Sequence, residues 1–130
     1  MPNDPTFTFV CEHGAAKSII AAVYFNKLAR ENGLPFTAIA RGTHPDAAIA
    51  SKAVDGLRED GLIPTESIPL KLTHNEVEAS QRIISFCELP EEYCPGCIVE
   101  YWYDVPAVSE NYERARDAIL KHLEELLKII

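Results

Sequence analysis

The residues able to do chemistry gather near the start of the chain. Thr6-Phe7-Thr8-Phe9-Val10 leads into Cys11-Glu12-His13-Gly14-Ala15-Ala16-Lys17-Ser18, and Ile19-Ile20-Ala21-Ala22-Val23 follows at once. The first run is β-prone, the last is helical, and the turn between them is made of small residues. Such a junction directs backbone N–H groups inward, favours negative charge through the helix dipole and stabilises a thiolate at Cys11. The chemistry predicted is attack by Cys11 on an anion held by the amides of Gly14, Ala15 and Ala16 together with Lys17 and Ser18. A buried strand-end thiol is the plainer alternative. His13 either donates to the same anion or is a loop residue without a role, and Glu12, a carboxylate beside a thiolate, is predicted to face solvent.

Three more cysteines lie far along the chain, Cys87 and then Cys94-Pro95-Gly96-Cys97. Thiols this close can exchange, because an attacking thiolate needs only access and Cα atoms within about 7 Å. Two other readings stand beside that one. Cys-x-x-Cys is half a zinc site that Cys11 and His13 would complete, and the pair also fits plain structural thiols. Asp104 follows Tyr101-Trp102-Tyr103 and precedes Val105-Pro106, in a loop. A carboxylic acid there protonates a leaving oxygen if its pKa is raised; the alternative is an ordinary loop aspartate.

Periodicity supplies the elements that must position these groups. A helix is expected over Ser18 to Asn32, stopped by Asn32-Gly33, and a second strand over Phe36 to Ala40, closed by Arg41-Gly42-Thr43-His44-Pro45. Asp46 is expected to cap a helix running to about Asp60. Thr73-His74-Asn75-Glu76 matches a capping box opening a short helix to Ser80. Arg82 to Phe86 reads as a central third strand and Ile98 to Trp102 as a fourth. The last helix is expected from Ser109 to about Ile130, with Tyr112, Ala115, Ile119, Leu123, Leu126 and Ile130 at helical spacing. Strands alternating with helices predict an α/β domain, a four-stranded parallel sheet with helices on both faces, in three layers. Ligands of such sheets bind beyond the carboxyl ends of the strands, where strand order reverses. Cys11, Arg41, Cys87 and Asp104 are all expected at that edge.

A chain of 130 residues is expected to be one domain, spanning 1–130, and its net charge of −8 argues against nucleic acid or anionic lipid as partner. The start lacks a basic segment and an apolar one, and no apolar run nears the ~20 residues that span a bilayer, so a cytoplasmic protein away from membranes is expected. In such a compartment four cysteines point to catalysis, redox chemistry or metal rather than a disulfide framework.

Over essentially its whole length the sequence resembles the low-molecular-weight protein tyrosine phosphatase superfamily, and within it the thioredoxin-coupled arsenate reductases. The residues carrying the resemblance are the loop from Cys11 to Lys17 and Ser18, Gly42-Thr43 after the second strand, Cys87 with Cys94, and Asp104-Val105-Pro106. The resemblance implies that Cys11 attacks arsenate, Cys87 displaces arsenite by forming a disulfide with Cys11, and Cys94 takes Cys87 into a disulfide that thioredoxin reduces. It implies Asp104 as acid, no metal and no cofactor beyond such an external thiol reductant. Phosphatases of the fold instead hydrolyse a phosphomonoester through a phosphocysteine, and a non-catalytic anion- or phosphoprotein-binding module is a third reading.

Two departures from the family loop bear on that choice. Lys17 stands where the family has arginine, and Gly14 where asparagine is common. Arginine grips two oxygens of a tetrahedral anion in a planar fork, whereas lysine is a point charge. The exchange is expected to cost phosphoryl transfer ~3 kcal/mol, about a hundredfold in rate, and to weigh less on a thiol relay. Arg41 offers a repair if its guanidinium turns into the anion site; pairing with nearby acid is the alternative.

Overall fold

The computed structural model describes residues 6–93 and 99–130. Four strands, β1 (Thr6–Cys11), β2 (Thr37–Gly42), β3 (Ser80–Ser85) and β4 (Val99–Tyr101), form one sheet in the order β2-β1-β3-β4. All three pairings are parallel, with Cys11 opposite Gly42 and Val10 opposite both Arg41 and Ser85. The chain steps outward from β1 to β2, then crosses back past β1 to β3. Strand order therefore reverses at β1, whose carboxyl end carries Cys11.

Alternation along the strands sorts the sheet into two faces. Phe7, Phe9 and Cys11 of β1 join Ala38 and Ala40 of β2 in the larger core, beneath α1 (Lys17–Glu31), α2 (Ser51–Glu59) and α4 (Tyr112–Ile129). Phe25 stacks on Phe7 at 4.8 Å between ring centroids. Helix α1 is buried along an unbroken run from Ser18 to Phe25, because it packs against both the sheet and neighbouring helices. Val10 faces the other way, with Leu72, Val77 and Ile83, beneath the short α3 (His74–Ala79) and the segments beside it. The sheet is thus covered on both faces, as the alternation of strands and helices predicts.

Local signals set most boundaries. Thr73 caps α3 with the full reciprocal box to Glu76, and Gly33 and Gly61, at φ of 65° and 80°, follow α1 and α2 where a left-handed residue is required. Helix α4 buries Ala115, Ile119, Leu123 and Leu126 in the expected register, but it starts at Tyr112 rather than Ser109, with Asn111 accepting from the Arg114 N–H as its cap.

The larger departure is α2, which begins at Ser51 and not behind Asp46. The Asp46 N–H is taken by the carbonyl of His13 at 3.0 Å and the Ala50 N–H by that of Ala15 at 2.9 Å. Residues 43–50 are thereby drawn out as a strap along the cysteine loop.

Among the described residues no helix is long and apolar enough to cross a membrane. Cys94 and Cys97, on which the zinc reading and the last step of the relay reading depend, lie outside the described residues.

Candidate active site at the carboxyl edge of the sheet

The cysteine loop, residues 11–16, is built against the strap. Thr43, His44, Asp46 and Ala50 donate their backbone N–H groups to the carbonyls of Cys11 (3.3 Å), Glu12 (2.7 Å), His13 (3.0 Å) and Ala15 (2.9 Å). A trans peptide sets its N–H opposite its C=O, so the amides of Glu12, His13, Gly14 and Ala16 are turned away from the strap. Four aligned amides at the start of a helix present the charge polarity an anion requires. Ala16 at the helix N-cap has no side-chain cap, which leaves the first N–H groups of α1 open to a ligand.

Glycine is obligatory at two points of this construction. Gly14 sits at φ 61°, and a Cβ there would lie 2.9 Å from the backbone nitrogen of Gly42. A Cβ on Gly42 would in turn stand 2.7 Å from the backbone nitrogen of Gly14. The two residues are the contact through which β2 abuts the loop, so Gly14 supplies both a left-handed turn and an absence of side chain.

The Cys11 sulfur is buried and lies 3.0 Å from the Ser18 hydroxyl, itself fully buried on the first turn of α1. A serine hydroxyl so placed can donate to a thiolate. Cys11 lines a cavity of about 630 Å³ together with His13, Ala15, Ala16 and Lys17. Phe86, Cys87, Ala107, Val108 and Ser109 form part of the same lining, as do Glu12, Asp46 and Lys52.

Cys87 is the second thiol of that cavity, and both it and Cys11 are free. Buried Ser85 positions it: the Ser85 hydroxyl donates to the Cys87 carbonyl at 2.5 Å, accepts from its N–H at 3.2 Å, and lies 3.7 Å from its sulfur. Burial pushes the Cys87 thiol up, the Ser85 hydrogen bond counters it, and the nearby Cys11 and Glu12 charges push it up again. The Cys87 thiol thus lies within reach of charge at Cys11.

His13 stands between two carboxylates, its Nδ1 3.3 Å from Asp46 and its Nε2 3.7 Å from Glu12, all three more than half exposed. The expectation of a solvent-facing Glu12 holds.

Arg41 does not turn into the anion site. Its Nε donates to Glu76 at 2.7 Å and its Nη1 to Glu66 at 3.1 Å and to the Ala40 carbonyl at 2.8 Å, and its side chain is only 12% exposed. The reason is strand alternation. Ala40 and Gly42 lie on the face shared with Cys11, so Arg41 between them belongs to the α3 face, where Glu76 receives it.

Asp104 is likewise placed elsewhere. It is not among the residues lining the cavity, its side chain is 69% exposed, and it accepts from His122 Nε2 at 2.7 Å. That hydrogen bond holds its carboxyl below the usual range, opposite to what an acid catalyst needs. His122 stacks on Trp102 at 4.6 Å, and Trp102 meets Phe86 edge-on, so this loop props the cavity wall from outside.

No protein-family model matches the sequence, and no curated protein does. Comparison of structures is informative. YfkJ from Bacillus subtilis superposes with a TM-score of 0.85 at 18% identity, covering 99% of this chain and 96% of that one. The fold is that of the low-molecular-weight protein tyrosine phosphatases. One of these, from T. tengcongensis, matches with a TM-score of 0.75 at 16% identity over 97% of this chain and 99% of that chain. A thioredoxin-dependent arsenate reductase of Corynebacterium glutamicum matches with 0.71 at 23% identity, over 95% of this chain and 60% of its own.

Within that fold the sequence alone does not single out Lys52 or Ser109. Lys52, on the first turn of α2, reads as an ordinary surface lysine, and Ser109 as the start of α4. The strap, tied to the cysteine loop up to Ala50, sets the start of α2 and Lys52 at the cavity.

Proposed function

We propose that the chain is a cysteine-dependent oxyanion reductase acting on arsenate, with Cys11 as nucleophile and Cys87 as the resolving thiol. The observation that carries this reading is two free thiols, Cys11 and Cys87, on one cavity beside the anion loop, with Asp104 outside it. The loop amides, Lys17 and the Ser18 hydroxyl hold the oxyanion. Cys11 sulfur attacks arsenic and an arsenic-bound oxygen leaves as water, giving a thiol ester of arsenic(V). The Cys87 thiolate then attacks Cys11 sulfur. The S–As bond breaks, its electron pair reduces arsenic(V) to arsenic(III), and arsenite departs with a proton from solvent. The Cys11–Cys87 disulfide that remains is passed to Cys94 and reduced by an external dithiol, for which thioredoxin is the candidate. Thiols used in this way require a reducing compartment, which supports a cytoplasmic location.

The cavity, about 630 Å³ and walled partly by Phe86 and Val108, has room beyond a bare oxyanion. This favours a second reading, hydrolysis of a phosphomonoester through a phosphocysteine on Cys11. One set of assays separates the two. Arsenite production from arsenate and a dithiol is expected from the wild type and lost in both Cys11→Ser and Cys87→Ser. Aryl phosphate hydrolysis that survives Cys87→Ser and disappears in Cys11→Ser selects the phosphatase. Phosphate binding without turnover of either substrate selects an anion-binding module.

A further inference from the structure

We propose that Lys52 is a second cationic ligand of the bound oxyanion, forming with Lys17 a two-lysine clamp; the inference rests on residues 11–18 being the anion site. Lys17 and Lys52 approach the cavity from different helices, α1 and α2. Among the described residues neither is ion-paired with a carboxylate, whereas Glu12 and Asp46 on the same cavity are engaged by His13. Lys52 instead donates from its Nζ to the carbonyl of Ser109, another residue of the cavity lining, at 2.6 Å. An ammonium has three donors, so that bond holds Nζ beside the cavity and leaves two protons for a ligand. The start of α2, which carries Lys52, is tied to the loop by the Ala50 N–H bond to the Ala15 carbonyl.

Charge balance favours a second cation. Two carboxylates, Glu12 and Asp46, border the cavity, in a chain of net charge −8. Lys17 and Lys52 together offset the two carboxylates, which Lys17 alone does not. An arginine would grip two oxygens from one side chain, and two lysines on separate helices reach two oxygens as independent point charges.

Inorganic phosphate is the probe, and protection of Cys11 from iodoacetamide, read peptide by peptide in the mass spectrometer, is the measurement. Lys52→Gln keeps a donor for the Ser109 carbonyl but removes the charge. Loss of one charge-assisted contact is expected to raise the phosphate concentration for half-protection about tenfold. Lys52→Arg is expected to stay near wild type, each variant's protection being read relative to its own alkylation rate without phosphate. Half-protection of Lys52→Gln at the wild-type concentration would overturn the proposal, as would loss of protection in Lys52→Arg as large as in Lys52→Gln, which marks a role of side-chain shape rather than charge. With arsenate, Lys52→Gln should raise KM and leave kcat within about twofold. Wild type protected by phosphate through Lys52, yet inert toward arsenate, removes the reductase reading and keeps the clamp. Wild type that phosphate does not protect removes both.

Discussion

At the scale of single residues, the site is defined by which side chains share a face as much as by which are reactive. Arg41 and Asp104 carry suitable chemistry at suitable positions in the chain, and neither enters the cavity. For Arg41 the sequence holds the necessary signal: small Ala38, Ala40 and Gly42 alternate with it, so its side chain must leave by the opposite face. Nothing in the sequence marks the Asp104 partner, because His122 lies a loop and half a helix away and stacks on Trp102. Asp104→Asn is therefore expected to leave turnover of either substrate within about twofold of wild type. Removal of a general acid would instead cost about a hundredfold or more, which steady-state rates at neutral pH would reveal.

Elements position the loop through backbone contacts, and these are the part of the site least visible in a sequence. Strand β1, the cysteine loop and the start of α1 follow from patterning and small residues. The strap over residues 43–50 does not: Asp46 is a good helix cap, and the competing use of its N–H by His13 is a tertiary contact. Gly42 tests the construction because its backbone has no left-handed strain, so substitution acts only through the approach to Gly14. Gly42→Ala places a Cβ against backbone, where nothing can swing aside, and is expected to cost about 1–3 kcal/mol of stability. Thermal unfolding should report that loss, and the same variant should no longer be protected by phosphate at Cys11.

Across the whole molecule the helices over the larger core are tied at Asp60, just beyond α2. It accepts from Tyr24 of α1 at 2.5 Å, Tyr112 of α4 at 2.8 Å and Arg116 of α4 at 3.1 Å. Burial raises its pKa, but the two tyrosine hydrogen bonds and the arginine outweigh this and leave it lowered. A carboxyl lowered in the folded state adds stability above its unfolded pKa, and that stability is lost as pH falls through the folded value. Asp60→Asn is expected to unfold about 1–3 kcal/mol more easily at neutral pH, since it removes the charge facing Arg116, which keeps Asp117, and leaves the two tyrosines a weaker, neutral acceptor. Denaturant titrations should show the gap between variant and wild type narrowing below about pH 4, and a gap constant down to pH 2 would be inconsistent with the assignment. The four parallel strands, the core helices and the place of Cys11 at the sheet edge are legible in periodicity alone. The crossing contacts that join α1, α2 and α4 are not, because each unites polar residues that separately look like surface.

The central claim is that Cys11 and Cys87 act on one another. It is tested most directly by exposing reduced Cys94→Ser protein to one equivalent of arsenate without air or added thiol, then mapping its disulfides by mass spectrometry. A Cys11–Cys87 disulfide formed in step with one equivalent of arsenite, and absent when phosphate replaces arsenate, is the predicted result. Both thiols remaining reduced in the presence of arsenate would contradict it.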